Sequence, residues 1–362
     1  MMGWTLGRYF LRRYAVIAFW LFVALYALVS LIDFTELTNR RSGVPGFTLA
    51  AGLVISAARV PVIMQQTVPF IGLFAAIAML VSLNRRYELV VARSAGISAW
   101  QFLLPACIGA FLFGVLTVGV LNPLAAAGIS MSKRIEAEMR VGKSNTSAFE
   151  QPWLRQRTPG SDTIIGAHSV LDGGLELVDA TFFSLDADGD IKERRDAARA
   201  FLRQGHWELH DVRVLRDGAS GIESLPVDRV ATNLTPASVQ ERLAPPETVS
   251  FFELPDKITA ARAFGLNANA FATHFHTLVA LPFLMVAMTL IAATVSMRFA
   301  RMGQSSTMIL GGVLAGFLLY VVSVLVKAFG TAGFVPPFVV AWIPVAIAMF
   351  FGVTFLLYKE DG

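Results

Sequence analysis

Between Leu83 and Trp100 the chain reads Leu-Asn-Arg-Arg-Tyr-Glu-Leu-Val-Val-Ala-Arg-Ser-Ala-Gly-Ile-Ser-Ala-Trp, a short charged stretch between two long apolar runs. Tyr87, Val90, Val91, Ser94 and Ile97 recur at spacings of three and four, which places them on one face of a helix. Glu88 sits one turn from Ala92 and five residues before Arg93. Gly96 is placed to cap the helix, because glycine adopts the left-handed conformation that ends helices without a Cβ clash. An exposed carboxylate such as Glu88 suits an arginine of another protein, whose planar guanidinium can donate two parallel hydrogen bonds. Such a helix, held at a surface, is also a handle on which a soluble protein can push. An amphipathic segment lying in lipid headgroups has the same pattern, so the residues alone leave both readings open.

A second set of residues could bind anions. Arg40, Arg41, Arg59 and Lys327 sit at the ends of apolar runs. Lys327 is the one formal charge between Met302 and Tyr358. A lysine in hydrocarbon costs about 2.5–3.5 kcal/mol on insertion scales unless it reaches polar surroundings. A phosphate group would supply them, with Arg acting as a fork and Lys as a point charge. Snorkelling to the interface is the plainer reading of a lone basic residue at a helix end. Asp33 would repel phosphate, and its expected partner is Lys327 or Arg40.

Other candidates are weak. His274 and His276 lie two apart, on different faces of a helix, which is poor for a shared metal. Ala137–Ser144 ends like a phosphate-binding loop but has Ala137 where the first glycine belongs. The chain has no other Gly-x4-Gly-Lys-Ser/Thr and no nucleophile, metal or acid/base constellation that indicates an enzyme. No cofactor is therefore expected in this chain, and any ATP-driven work must come from another polypeptide.

These residues are positioned by elements that composition already constrains. The 362 residues are 55% hydrophobic and 15% charged, with a mean hydropathy of +0.60. Such a chain cannot cover itself with polar surface, so an integral membrane protein is expected. The net charge of +4 hides an asymmetry. Lys133–Arg262 holds 17 basic and 21 acidic residues, whereas the remainder holds 13 basic and 5 acidic. The basic excess thus belongs to the apolar part, where it reads as topology and lipid contact rather than nucleic-acid binding. The single cysteine, Cys107, lies in an apolar run and reads as packing.

Six uncharged segments are long enough to cross about 30 Å of hydrocarbon: Tyr14–Ile32, Val60–Asn84, Ser94–Ser132, Thr277–Met297, Met302–Val326 and Ala328–Tyr358. Pro61 and Pro105 are expected in first turns and Pro69 at a kink. Arg8, Arg12, Arg13, Arg85, Arg86, Arg93, Arg298, Arg301 and Lys359 fall on one side if the spans alternate. The positive-inside rule makes that side the cytosol, with both termini there. Small residues in spans one, three and five (Ala15, Ala18, Ala24; Gly109, Gly114, Gly119; Gly311, Gly312, Gly316) allow either close packing or a movable seam. Met64, Met285 and Met288 suit an acyl-chain cavity as well as they suit lipid-facing packing.

The opposite side carries a loop near residues 35–58, a large block and a turn at Gly330–Pro337. Leu175–Asp186, Ala198–Leu202 and Trp207–Val214 read as strands, with Asp188-Gly189 and Asp217-Gly218 as turn signals. Short strands with frequent turns point to an all-β sandwich or jelly roll whose edges could pair with another protein's strands. The expected organisation is helices 1–3 in residues 1–132 with a surface helix near 84–99, a β-domain in 133–265, and helices 4–6 in 266–362. The fold class is thus an α-helical integral membrane protein with six transmembrane helices and an inserted all-β, jelly-roll-like domain.

The stretch Glu88-Leu-Val-Val-Ala-Arg-Ser-Ala-Gly-Ile-Ser resembles the coupling segment of the LptF/LptG family, permease subunits of the lipopolysaccharide exporter. Arg8-Tyr9, the Ile32-Asp33-Phe34-Thr35-Glu36 exit from span one and the three-span, β-domain, three-span order agree along nearly the whole chain. The span-one exit and Gly333–Pro337 lean towards the LptG branch. The resemblance implies a bacterial inner-membrane subunit, with a periplasmic β-domain, that pairs with an LptF-type permease around a cavity. It implies an LptB-type ATPase dimer beneath, binding ATP and Mg, an LptC-type bitopic jelly-roll protein, and a periplasmic LptA-type bridge. It gives Glu88, Arg93 and Gly96 the ATPase-coupling role. Arg40-Arg41 resembles a basic pair that follows span one in LptG, so these two and Lys327 become candidates for a phosphorylated lipopolysaccharide headgroup. Two other classes fit more loosely. One is a lipoprotein-release-type mechanotransmitting permease, which usually has four spans. The other is a membrane-anchored β-domain sensor without transport.

Overall fold

Thr48 starts a long helix by accepting a 3.1 Å hydrogen bond from the Ala51 amide, and Ser98 starts another through a reciprocal capping box with Gln101. The computed structural model describes residues 4–41, 48–140, 153–158, 161–171, 174–186, 190–216, 221–234, 246–263, 268–296 and 306–360. The helices are α1 (Trp4–Arg41), α2 (Leu49–Arg85), α3 (Glu88–Ser94), α4 (Ala99–Leu116), α5 (Asn122–Arg140), α6 (Leu254–Ala263), α7 (Asn269–Ser296), α8 (Ser306–Thr331) and α9 (Pro337–Glu360). Among the described residues six helical segments are long and apolar enough to cross a membrane, with α4 and α5 counting as one.

α1 and α2 outrun their uncharged segments at both ends. α1 continues to Arg41 and α2 starts at Leu49, so both ends of the loop expected near 35–58 are helix, because charge ends the hydrocarbon-compatible part of a helix and not the helix itself. Pro61 and Pro105 are not in first turns: both lie inside helices that begin at the Thr48 and Ser98 caps. α2 runs unbroken through Pro69 as well, held by buried Val60, Met64, Val68 and Ile71 on its inner face. Packing of neighbouring helices compensates the lost amide. Thr117–Leu121 forms a π turn between α4 and α5, in which the Asn122 amide bonds back to the Thr117 carbonyl. Pro123 follows at once and has no amide for the usual ladder, which accounts for the local widening.

The contacts fix the order of the ends. Tyr9 and Arg13 of α1 meet Glu88 and Ser82. Further along, the Ser56 hydroxyl donates to the Ser30 carbonyl, and Arg59 faces Glu136. α3 therefore sits at one end of the bundle, while the far end of α5 adjoins the β-domain. α2 and α7 are the interior helices; α1 and α8 lie on the rim with mostly exposed apolar faces. Backbones approach closely where glycine allows it. A Cβ on Gly128 would stand 2.1 Å from the Ala58 carbonyl oxygen, and one on Gly114 2.5 Å from Pro282 Cα.

The β-domain is a six-stranded antiparallel sheet of β1 (Trp153–Thr158), β2 (Ser161–Leu171), β3 (Glu176–Leu185), β4 (Ile191–Arg203), β5 (His206–Arg216) and β6 (Glu223–Ala231). In the described residues the strands pair in chain order within one sheet, without the crossovers of a jelly roll. Asp179 and Asp211 have φ of 49° and 52°. At those points inward-facing positions shift by one, from Leu177 to Ala180 and Phe182 on β3, and from Trp207 and Leu209 to Val212 and Val214 on β5. The creased sheet wraps around its own core, with Phe182 against Trp207 at 6.1 Å. Buried Gln156 of β1 donates to the Ala231 carbonyl of β6 at 3.0 Å and accepts from the Thr232 hydroxyl, so the two edges meet at one end.

Candidate docking and lipid-contact sites

Tyr87 turns the chain from α2 into α3 through a left-handed conformation, φ 60°. α3 then runs for seven residues and ends in a Schellman cap. The Ile97 amide donates to the Ala92 carbonyl at 3.1 Å and the Gly96 amide to the Arg93 carbonyl at 3.0 Å, with Gly96 at φ 78°. Leu89 and Ala92 face the bundle core, whereas Tyr87, Val90, Val91 and Ser94 are exposed and Ile97 is half-buried. The face read from spacing thus points outward. Val91 is 64% exposed, a large value for a valine on a short helix fixed at both ends.

Glu88 sits in the first turn of α3, where negative charge complements the helix dipole. Its carboxylate is held within the chain. Arg13 Nη1 donates to both oxygens at 3.1 Å, and the Tyr9 hydroxyl donates to Oε2 at 3.0 Å. Arg13 Nη2 donates to the Ser82 hydroxyl at 2.8 Å, and its guanidinium lies 5.6 Å from the Tyr9 ring centroid. The Arg13 side chain is 14% exposed and that of Glu88 29%. Sequence reading missed this network. Arg13 registered only as a topology charge, and nothing local signals a pair 75 residues apart.

The anion-binding candidates are spread over two helices. Arg40 lies in the last turn of α1 and pairs with Glu36 at 2.6 Å, both well exposed, an arrangement worth only about 0–1 kcal/mol. Arg41 is the last residue of α1, and its side chain lies outside the described residues. Lys327 lies in the last turns of α8, half-buried and within electrostatic reach of His274. α1 packs on α2 and α4, whereas α8 packs on α7, α9 and α2. Asp33 pairs with neither candidate among the described residues: it is buried, and Oδ2 has no hydrogen-bond partner. Arg59 reaches Glu136 at 3.9 Å. His274 is buried in the second turn of α7, with both ring nitrogens unpartnered among the described residues. The Asp188-Gly189 and Asp217-Gly218 turns, Arg298, Arg301 and Val141–Ser144 lie outside the described residues.

A second link missed in the sequence joins bundle and β-domain. Buried Asn122 donates to Gln65 Oε1 at 3.3 Å and accepts from the Phe251 amide at 2.6 Å. Phe251 stacks on Phe275 of α7 at 5.4 Å and 8°. The strand-to-helix return is thus fastened beside the π turn.

A bundle of apolar helices with a short exposed helix at one end and a separate antiparallel sheet at the other has the architecture of a multi-pass membrane protein. Residues 8–359 match the family described as lipopolysaccharide export system permease LptF/LptG, and the chain belongs to that family. Among curated relatives it is 22% identical over 345 residues to the lipopolysaccharide export system permease protein LptG of Escherichia coli strain K12, covering 93% of this chain and 94% of that one. The same protein from Escherichia coli O6:H1 strain CFT073 matches with the same identity and coverage.

Proposed function

We propose that this chain is the LptG-type transmembrane subunit of an ATP-driven exporter that extracts lipopolysaccharide from the inner membrane. In this reading six helices cross the membrane, both termini and α3 face the cytosol, and the β-domain stands in the periplasm. An LptF-type permease completes the cavity. An LptB-type ATPase dimer binds ATP and Mg and docks on α3. An LptC-type protein and an LptA-type bridge receive the lipid. Arg40, Arg41 and Lys327 contact its phosphorylated headgroup.

The observation that carries this reading is α3 itself: a helix closed by a Schellman cap at its C-terminal end, tied to α1 through Glu88, with Tyr87, Val90, Val91 and Ser94 turned outward. Family membership and the basic residues at the α3 end support the same orientation. Six apolar helices favour it over a four-span lipoprotein-release permease.

The test is ATP-dependent transfer of lipopolysaccharide from vesicles holding the assembled complex to a soluble acceptor jelly roll. Glu88→Ala is expected to insert and assemble normally and to lose transfer. Transfer at the unsubstituted rate rejects the coupling role.

A further inference from the structure

We propose that Arg13 is the positioning residue that makes α1 the receiver of motion from α3. The inference rests on the coupling reading of α3 and adds the route by which a displacement leaves it.

A carboxylate offers about four acceptor sites. Three at Glu88 are occupied, two by Arg13 Nη1 and one by the Tyr9 hydroxyl, and the open one lies on Oε1. With Glu88 29% exposed, an arginine from a docked ATPase can reach Oε1 without displacing Arg13. The result is a shared carboxylate between two guanidinium groups, one in α1 and one on the partner. Arg13 is itself immobilised by Ser82 at the end of α2 and by the Tyr9 ring. Load arriving at Glu88 is therefore delivered to α1 by charge-assisted hydrogen bonds, while buried Leu89 and Ala92 only bed α3 on the bundle.

α1 is suited to carry that load. It is 38 residues without a proline, about 57 Å at 1.5 Å per residue. It lies on the rim of the bundle, so fewer side chains oppose its movement than oppose α2 or α7. Its other end bears Arg40 and Arg41, the residues proposed to meet the lipid headgroup. One rigid element thus links the ATPase-facing surface to the lipid-facing one.

The experiment measures lipopolysaccharide released per ATP hydrolysed in the reconstituted complex for Arg13→Gln, Arg13→Lys, Glu88→Gln and the Arg13→Gln/Glu88→Gln double variant. Arg13→Gln is expected to lower that ratio about tenfold, the order of losing one charge-assisted hydrogen bond. Arg13→Lys, which keeps the charge but not the fork, should recover part of it. The double variant should be no worse than the poorer single, since both remove one link. A normal ratio in Arg13→Gln beside an impaired Glu88→Gln overturns the role of Arg13 and leaves the coupling reading standing. Normal ratios in both overturn the coupling reading and this proposal with it. Additive losses in the double variant show that Arg13 acts apart from Glu88, which also overturns it.

Discussion

Arg13 and Glu88 stand 75 residues apart in sequence, yet one guanidinium nitrogen lies 3.1 Å from both carboxylate oxygens. The pair turns a seven-residue helix into a fixed part of the bundle. Its inward side is occupied by Leu89, Ala92 and the ion pair, which leaves the face of Tyr87, Val90, Val91 and Ser94 for docking. Nothing in the described bundle covers that apolar surface, and the loop geometry holds it in place without a partner.

Two kinds of glycine in the apolar helices give opposite expectations. Gly114→Ala and Gly128→Ala would drive a Cβ into backbone of Pro282 and Ala58. Each is expected to cost about 1–3 kcal/mol, read as a lower melting temperature of the detergent-solubilised protein. Gly119 and Gly311 have nothing within 4 Å of such a Cβ. Their alanine variants should stay within about 0.5 kcal/mol of the unsubstituted protein. Lost transport at unchanged melting temperature in either would assign that open face to a neighbouring permease subunit.

Asn122 fastens the return from the β-domain to the bundle through the Phe251 amide. Asn122→Leu keeps the size and removes the acceptor, leaving that amide unsatisfied at a cost of about 1–3 kcal/mol. Hydrogen exchange at Phe251–Glu253 should accelerate by about tenfold or more. Asn122→Asp retains the acceptor and should exchange like the unsubstituted protein. Equal exchange in all three would show that the Phe251–Phe275 stack alone holds the segment.

At the opposite end from α3, Lys327→Glu and Arg40→Glu are expected to reduce photocrosslinking to lipopolysaccharide about tenfold, as an attraction of a few kcal/mol becomes a repulsion. Assembly with the other subunits should be unchanged. Glu36→Gln is the informative companion. It frees Arg40 from its exposed ion pair, so crosslinking should stay level or rise. A parallel loss of crosslinking and assembly in the charge-reversed variants would mark both residues as structural.

Local patterns made much of this legible. Spacing found the outward face of α3, glycine chemistry found the Gly96 cap, and β-favouring residues found three of the strands. What escaped depends on partners distant in sequence. The Arg13–Glu88 pair and the Asn122–Phe251 bond carry no local signal, being 75 and 129 residues apart. Helix ends escape because caps, not charges, set them: the Thr48 and Ser98 caps leave Pro61 and Pro105 inside helices. The crease at Asp179 and Asp211 replaces strict alternation with a one-residue shift, and that shift lets one meander enclose its own core.

The central claim is that α3 receives an ATPase, and the most direct measurement is site-specific photocrosslinking in native membranes from Val91. The expected result is a crosslinked product with a polypeptide that carries a Walker A phosphate-binding loop, absent when the probe is moved to the exposed position Leu28 of α1 and lost when nucleotide-binding subunits are stripped from the membrane. A Val91 probe that labels only lipid, with no such polypeptide captured, would contradict it and return α3 to an amphipathic segment lying among headgroups.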